Sequence, residues 1–143
     1  MYFVTGGSYN GKAKWVREQL QVTDETIWLS AYRDHDLPKN LDPHCKRIVL
    51  EGIERWIKQD TQQLNAEDIR ASWKLRMEGF LNWEKENTDR HLIIIGSDLS
   101  KGIVPIEASD RTWRDACGWV YQDLVERADR VELIWYGINQ QLK

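Results

Sequence analysis

The sequence has few cysteines, the residues whose disulfides or zinc sites stabilise many small domains. It has two cysteines, Cys45 and Cys117, which stand far apart and form no C-x-x-C pair. Neither a disulfide framework nor a zinc site is therefore expected, and two free thiols in a cytoplasmic protein are the simplest interpretation. No apolar run is long enough to span a membrane, and the opening residues 1–4 are too short for a signal peptide.

An excess of positive charge is also missing. Lys and Arg number 20 against 23 Asp and Glu, for a formal net charge of -3, so no nucleic-acid partner is indicated and any phosphate binding has to be local. The 143 residues suit one domain over residues 1–143, large enough to bury a core. Most of the eight tryptophans are expected in that core, with an oligomer interface or a platform for a flat ligand as alternatives for others.

A glycine loop near the start is the strongest motif. It follows the short apolar run Phe3-Val4-Thr5 and fits G-x-x-x-x-G-K, the part of the P-loop whose backbone N–H groups and lysine bind phosphate. Ala13 stands where a P-loop has Ser or Thr to ligate magnesium. A plain strand-to-helix turn is the alternative. The predicted nucleotide-binding residues of this loop are Gly6, Gly7, Ser8, Tyr9, Asn10, Gly11, Lys12 and Ala13.

Apolar runs rich in β-branched residues alternate with helical spacing along the rest of the chain. Strands are predicted at 2–5, 26–30, 47–51, 91–96, 130–136 and from 138, and helices at about 12–21, 53–64, 66–86 and 110–128. This alternation predicts an α/β fold with three layers and an open, mostly parallel sheet. Residues 31–46 contain two prolines and no helical period, which predicts a long surface loop.

In such a sheet the residues that follow each strand converge on one ligand site. Besides the glycine loop, these positions are Ser30, Ala31, Tyr32, Glu51, Gly52 and residues 97–102. Glu51 is the candidate Mg²⁺ ligand, directly or through water, because the acidic residue that ends the second P-loop strand usually has that role. A solvated strand end is the alternative for Glu51.

Two acidic groups in the long loop each contain a histidine, one at Asp34-His35-Asp36 and one around Asp42, His44 and Cys45. Histidine can act as a nucleophile toward phosphorus or as a general base, although most loop histidines do neither. Arg111 and Arg114 could reach phosphates from the start of the last helix. Surface ion pairs with Asp110 and Asp115 are their alternative.

Motifs at both ends and in the middle are similar to those of the adenosylcobinamide kinase/adenosylcobinamide-phosphate guanylyltransferase family. They are Val4-Thr5-Gly6-Gly7, Gly11-Lys12, Ile48-Val-Leu-Glu51-Gly-Ile-Glu-Arg-Trp56, Gly102-Ile-Val-Pro105, Arg114-Asp115, Gly118, Val120, Gln122, Ala128-Asp129-x-Val131, Gly137-Ile138 and Leu142-Lys143. The resemblance implies a RecA-like P-loop fold, often a homotrimer, that uses GTP or ATP with Mg²⁺. It also implies two reactions: phosphorylation of the aminopropanol hydroxyl of adenosylcobinamide, and transfer of GMP from GTP to that phosphate through a histidine.

The chain departs from this family where chemistry takes place. The family's histidine segment, R-I-x-x-H-x-x-x-R, is replaced by residues 31–46, so neither His35 nor His44 stands in the motif. The family's N-E-V-G-x-G loop becomes Ser97-Asp98-Leu99-Ser100-Lys101-Gly102, in which Asp98 keeps a carboxylate.

Three functions are compatible with these residues. The first is a cobalamin-biosynthesis enzyme with Lys12 on the phosphates and Glu51 and Asp98 on metal or cobinamide. The second is a non-catalytic nucleotide- or corrinoid-binding relative that acts through oligomer or partner contacts, which Ala13 and the missing histidine segment favour. The third is a small P-loop kinase with another substrate. Base preference stays open because the sequence has no N-K-x-D motif.

Overall fold

The predicted strands form one six-stranded sheet in the computed structural model, which describes residues 1–20, 22–101 and 105–143. The predicted helix end at Gln21 and residues 102–104 of the family-like motif lie outside this range. The strands are β1 (Tyr2–Gly6), β2 (Ile27–Ser30), β3 (Arg47–Glu51), β4 (His91–Ser97), β5 (Arg130–Trp135) and β6 (Ile138–Gln141). The helices are α1 (Lys12–Gln19), α2 (Ile53–Asp60), α3 (Ala66–Lys85) and α4 (Ala108–Arg127), with a 3-10 turn at Ala31–Arg33.

The strand order β2-β3-β4-β1-β5-β6 places β1 in the interior of the sheet. β1 pairs in parallel with β4 and with β5, and only the edge strand β6 runs antiparallel to its neighbour. β4 therefore separates β1 from β3, which carries Glu51 at its end. The predicted open, mostly parallel sheet is confirmed.

Helices cover both faces of the sheet, because parallel strands that alternate with helices are buried on both sides. α1 packs with Trp15 and Val16 against one face, which Val4, Val49 and Ile95 line. α2, α3 and α4 cover the other face, where the main core lies. Within the described residues, no helix combines the length and apolar character that crossing a bilayer requires.

Local sequence signals account for most element boundaries. The side-chain oxygen of Asn65 accepts the backbone N–H of Asp68 at 2.9 Å and caps α3. The helix predicted over residues 53–64 is shorter in the structure: α2 ends at Asp60, and Leu64 lies exposed in the turns that follow.

Half of the eight tryptophans are buried in the core. Trp15, Trp56, Trp73 and Trp83 are buried, and both cysteines are buried free thiols. The indoles of Trp56, Trp73 and Trp83 donate to His35 O, Asp60 Oδ2 and Asp42 O. These bonds tie the long loop to the helices, because two of the three acceptors belong to residues 31–46.

Gly6 provides a test of how closely β1 and β5 approach. Its φ of 143° is rarely adopted by other residues, and a Cβ there would lie 2.2 Å from the backbone oxygen of Ile134. We expect Gly6→Ala to lower the free energy of unfolding by about 3 kcal/mol through overpacking and backbone strain.

Gly79→Ala is the matched control in a urea titration. Gly79 lies within α3, and nothing lies within 4 Å of an added Cβ. Alanine there should raise the free energy of unfolding by roughly 0.5–1 kcal/mol. Equal effects of the two substitutions would contradict the close approach at Gly6.

Candidate functional site

The glycine loop joins the buried strand β1 to the first turn of α1. Gly11 has φ 86° and allows the chain to enter the helix at Lys12, while the N–H of Asn10 bonds to Gly7 O at 3.3 Å. The first N–H groups of a helix have no partner within the helix and attract anions. The loop therefore has the strand, turn and helix that phosphate binding requires.

Lys12 turns its side chain back into this loop. It is only 8 % exposed, and its ammonium donates to Gly6 O at 3.1 Å and to Gly7 O at 2.8 Å. Burial lowers the pKa of Lys12, and attraction to Glu54, Glu51 and Asp98 partly opposes that shift. A positive charge thus lies inside the loop, with three carboxylates in its surroundings.

The ends of the neighbouring strands meet at the loop, as the sequence predicts. The N–H of Asp98 bonds to Gly6 O at 2.9 Å, and the N–H of Gly52 bonds to Ile95 O at 2.9 Å. The Tyr32 hydroxyl lies 3.2 Å from Ser97 Oγ. The structure therefore brings residues after β1, β2, β3 and β4 to one edge of the sheet.

Glu51 ends β3 at this edge and is half-buried. Its carboxylate accepts the indole N–H of Trp28 at 2.8 Å. Mg²⁺ is commonly held by one or two carboxylates together with substrate phosphates, which is the ligand type that Glu51 and Asp98 would supply. The described residues contain no cluster of three or more His, Cys, Asp or Glu that could hold a metal by itself.

Glu54 is the residue that sequence reasoning missed. It lies in the first turn of α2, is 3 % exposed, and accepts the Tyr32 hydroxyl and the N–H of Ser97, the latter at 3.0 Å. Burial and this carboxylate raise the pKa of Tyr32 well above its usual range. A charged residue beside the buried Ile53 and Ile57 was the available signal, since buried charges need partners.

A cavity of about 420 Å³ opens between this edge and α4. Its volume is in the range of ligand-binding clefts. Lys58 lies 4.3 Å from the ring of Trp113, and Arg55 lies 5.2 Å from the ring of Tyr32. Ser8, from the glycine loop, also lines the cavity, so the glycine loop and the cavity share a boundary.

The two candidate histidines lie at different ends of the sheet. His35 follows the turn after β2, and its Nδ1 accepts the N–H of Ser30 at 3.1 Å. His44 precedes β3 and therefore lies at the opposite end of that strand from Glu51. His35 thus helps to fix the turn near the site, and His44 is not brought to it.

Three further predicted positions differ in their contacts. Ser30 is 1 % exposed at the end of β2, and its Oγ has no hydrogen-bond partner among the described residues. Arg111 and Arg114 donate to backbone carbonyls of the segment before α4, at Pro105, Ile106 and Ser100. The predicted contact of these arginines with phosphate stays a prediction.

Comparison with known proteins identifies the family. The family model described as cobinamide kinase / cobinamide phosphate guanyltransferase matches residues 25–142, whereas no curated protein matches the chain. The match begins after the glycine loop and includes Glu51, Glu54 and Asp98. The sheet, its flanking helices and the loop between β1 and α1 agree with the P-loop nucleotide-binding fold of this family. The chain therefore belongs to the cobinamide kinase / cobinamide phosphate guanyltransferase family of cobalamin biosynthesis.

Proposed function

We propose that the chain binds a nucleoside triphosphate with Mg²⁺ on residues 6–13 and transfers its terminal phosphoryl group to the hydroxyl of adenosylcobinamide. The observation that carries this proposal is the buried Lys12 ammonium within the glycine loop, at the edge where Glu51, Glu54 and Asp98 meet. GTP and ATP are both compatible with the loop.

Phosphate oxygens would improve the environment of Lys12. Its ammonium now donates to two neutral carbonyls, and charge-assisted hydrogen bonds to an anion are stronger than bonds of that kind. The surrounding carboxylates would repel a triphosphate unless a cation offsets their charge. Glu51 and Asp98 would hold Mg²⁺, which neutralises charge that develops on the transferred group.

The cavity beside the loop is the proposed acceptor site. A phosphoryl group leaving the loop has a short path into this space, because Ser8 lines both. Whole adenosylcobinamide, with its corrin ring, side chains and adenosyl group, is larger than a cavity of about 420 Å³, so only the arm that carries the hydroxyl would enter. Arg55 and Lys58 would attract the anionic product.

Phosphorylation is a better match to this geometry than guanylyl transfer. The family's transfer of GMP proceeds through a histidine, as the resemblance implies. The Nδ1 of His35 is already engaged by Ser30, and His44 lies at the other end of β3. Only Nε2 of His35 is left for a nucleophilic role near the site, and His44 lies away from it.

A non-catalytic nucleotide- or corrinoid-binding relative is the second candidate. Ala13 favours it, because a methyl group cannot ligate the Mg²⁺ that supports phosphoryl transfer. Such a protein would act through a homo-oligomer, a trimer by family resemblance, or through another partner.

Lys12→Ala should weaken binding of Mg-GTP or Mg-ATP about 10- to 100-fold in isothermal titration, because one charge-assisted contact of about 1.5–3 kcal/mol is lost. Lys14→Ala is the matched control, since Lys14 is 79 % exposed and pairs with Glu18. Equal affinities of the unsubstituted chain and Lys12→Ala would exclude the loop as the phosphate site.

A turnover assay separates the two candidate functions. Incubation with γ-labelled GTP or ATP and adenosylcobinamide should transfer label to the corrinoid, and Lys12→Ala should abolish that transfer. Nucleotide binding without transfer would instead identify a non-catalytic relative.

Ala13→Ser should restore the missing magnesium ligand. We expect nucleotide affinity to increase about 5- to 10-fold in Mg²⁺ and to stay unchanged in EDTA, because the new hydroxyl acts only through the metal. The same titration with Ala13→Val controls for added side-chain bulk. A gain that persists in EDTA would show that the hydroxyl does not act on magnesium.

A further inference from the structure

Exposed aromatic residues lie on two segments that meet at the phosphate loop. Tyr9 belongs to the loop itself and is fully exposed, while Tyr136 is 80 % exposed in the turn between β5 and β6. Trp135, at the end of β5, is half exposed and lies 6.1 Å from the ring of Tyr136. Large aromatic side chains usually bury much of their surface, so their exposure together at a loop edge indicates a binding surface.

One hydrogen bond joins the two segments. The N–H of Gly137 donates to Asn10 O at 2.9 Å, and Tyr136 and Tyr9 are the residues that precede this bonded pair. Both tyrosines have positive φ, 51° and 58°, which is uncommon for any residue with a side chain. Such strain persists where the surrounding structure imposes it, commonly at ligand clamps.

The sheet order gives a bound nucleotide a direction. β4 and β3, with Asp98 and Glu51 at their ends, lie on one side of β1, and the β5–β6 turn lies on the other side. In the proposed complex, the terminal phosphate and its Mg²⁺ lie on the side of β1 where Asp98 and Glu51 are. The nucleoside end of the same molecule therefore extends toward Tyr136.

We propose that Tyr9 and Tyr136 form a stacking site for the nucleobase of the nucleotide whose phosphates occupy residues 6–13. This inference rests on the nucleotide binding proposed above. An aromatic ring stacks on any base, since every base has a π-face. The Lys101 ammonium lies 4.1 Å from the ring of Trp135 and covers part of that neighbouring ring, so the two tyrosines are the available platform.

A stacking platform predicts weak base specificity. Stacking recognises the face of a base, which the bases of GTP and ATP both present. We expect this platform to bind GTP and ATP with similar affinity, within about threefold.

The test compares nucleotides with inorganic tripolyphosphate, which has no base. Tyr136→Ala and Tyr9→Ala should each weaken Mg-GTP and Mg-ATP binding about tenfold and leave Mg-tripolyphosphate binding unchanged. Tyr136→Phe and Tyr9→Phe retain the ring and should bind nucleotides as the unsubstituted chain does. Light scattering on each variant reports its oligomeric state.

Several outcomes would overturn the stacking site. Unchanged GTP and ATP affinity in both alanine variants excludes it, as does an equal loss of tripolyphosphate affinity, which indicates a distorted loop. A changed oligomeric state with unchanged nucleotide affinity would assign the surface to contacts between copies of the chain. If the unsubstituted chain binds tripolyphosphate as tightly as GTP, only the stacking site fails, whereas binding of neither ligand refutes the proposed function as well.

Discussion

A buried carboxylate, that of Glu54, holds the functional edge of the molecule together. It accepts hydrogen bonds from Tyr32 after β2 and from Ser97 at the end of β4, while its own backbone carbonyl accepts the indole of Trp113 in α4. Burying a charge costs several kcal/mol unless hydrogen-bond partners compensate. The turn after β2 and the end of β4 therefore have to be positioned so that their donors reach the carboxylate. The cavity and the surroundings of Lys12 depend on that arrangement, because Glu54 lines the first and is the largest attractive influence on the second.

The fold could be predicted from the sequence because its signals are local. An apolar run such as Ile48-Val49-Leu50 indicates a strand at its own position, and Asn65 is a favourable residue to begin the helix that follows it. The structure has β3 and α3 at these positions. Glu54 could not be assigned a role in this way, since its partners are 22 and 43 positions away. The orientation of the Lys12 side chain could not be predicted either, because it depends on carbonyl groups that only the folded loop brings within hydrogen-bond distance. The helix predicted over residues 53–64 ends earlier, at Asp60, because helical spacing does not show where a helix ends.

The family match and the glycine loop contribute different information. The matched region, residues 25–142, provides the sheet edge, the acidic strand and α4, whereas the loop that holds Lys12 precedes it. Agreement between the two rests on geometry: the Asp98 N–H bonds directly to Gly6 O and links the matched region to the loop. Ala13 and residues 31–46 stand where the family resemblance implies groups that take part in chemistry, while the contacts that build the edge are made by other residues. Family membership and fold therefore do not by themselves establish the reaction, which depends on the residues of the site.

The contact between Asn10 and Gly137 also bears on how the protein is made. The glycine loop lies near the start of the chain, yet Gly6 packs against Ile134 and Asn10 bonds to Gly137, more than a hundred residues later. A ribosome adds about 5–20 residues per second, so on the order of ten seconds pass between synthesis of the loop and synthesis of the residues that it contacts. The nascent chain therefore lacks these contacts until β5 and the turn after it have emerged. Under the function proposed above, nucleotide would stabilise the protein only after that point.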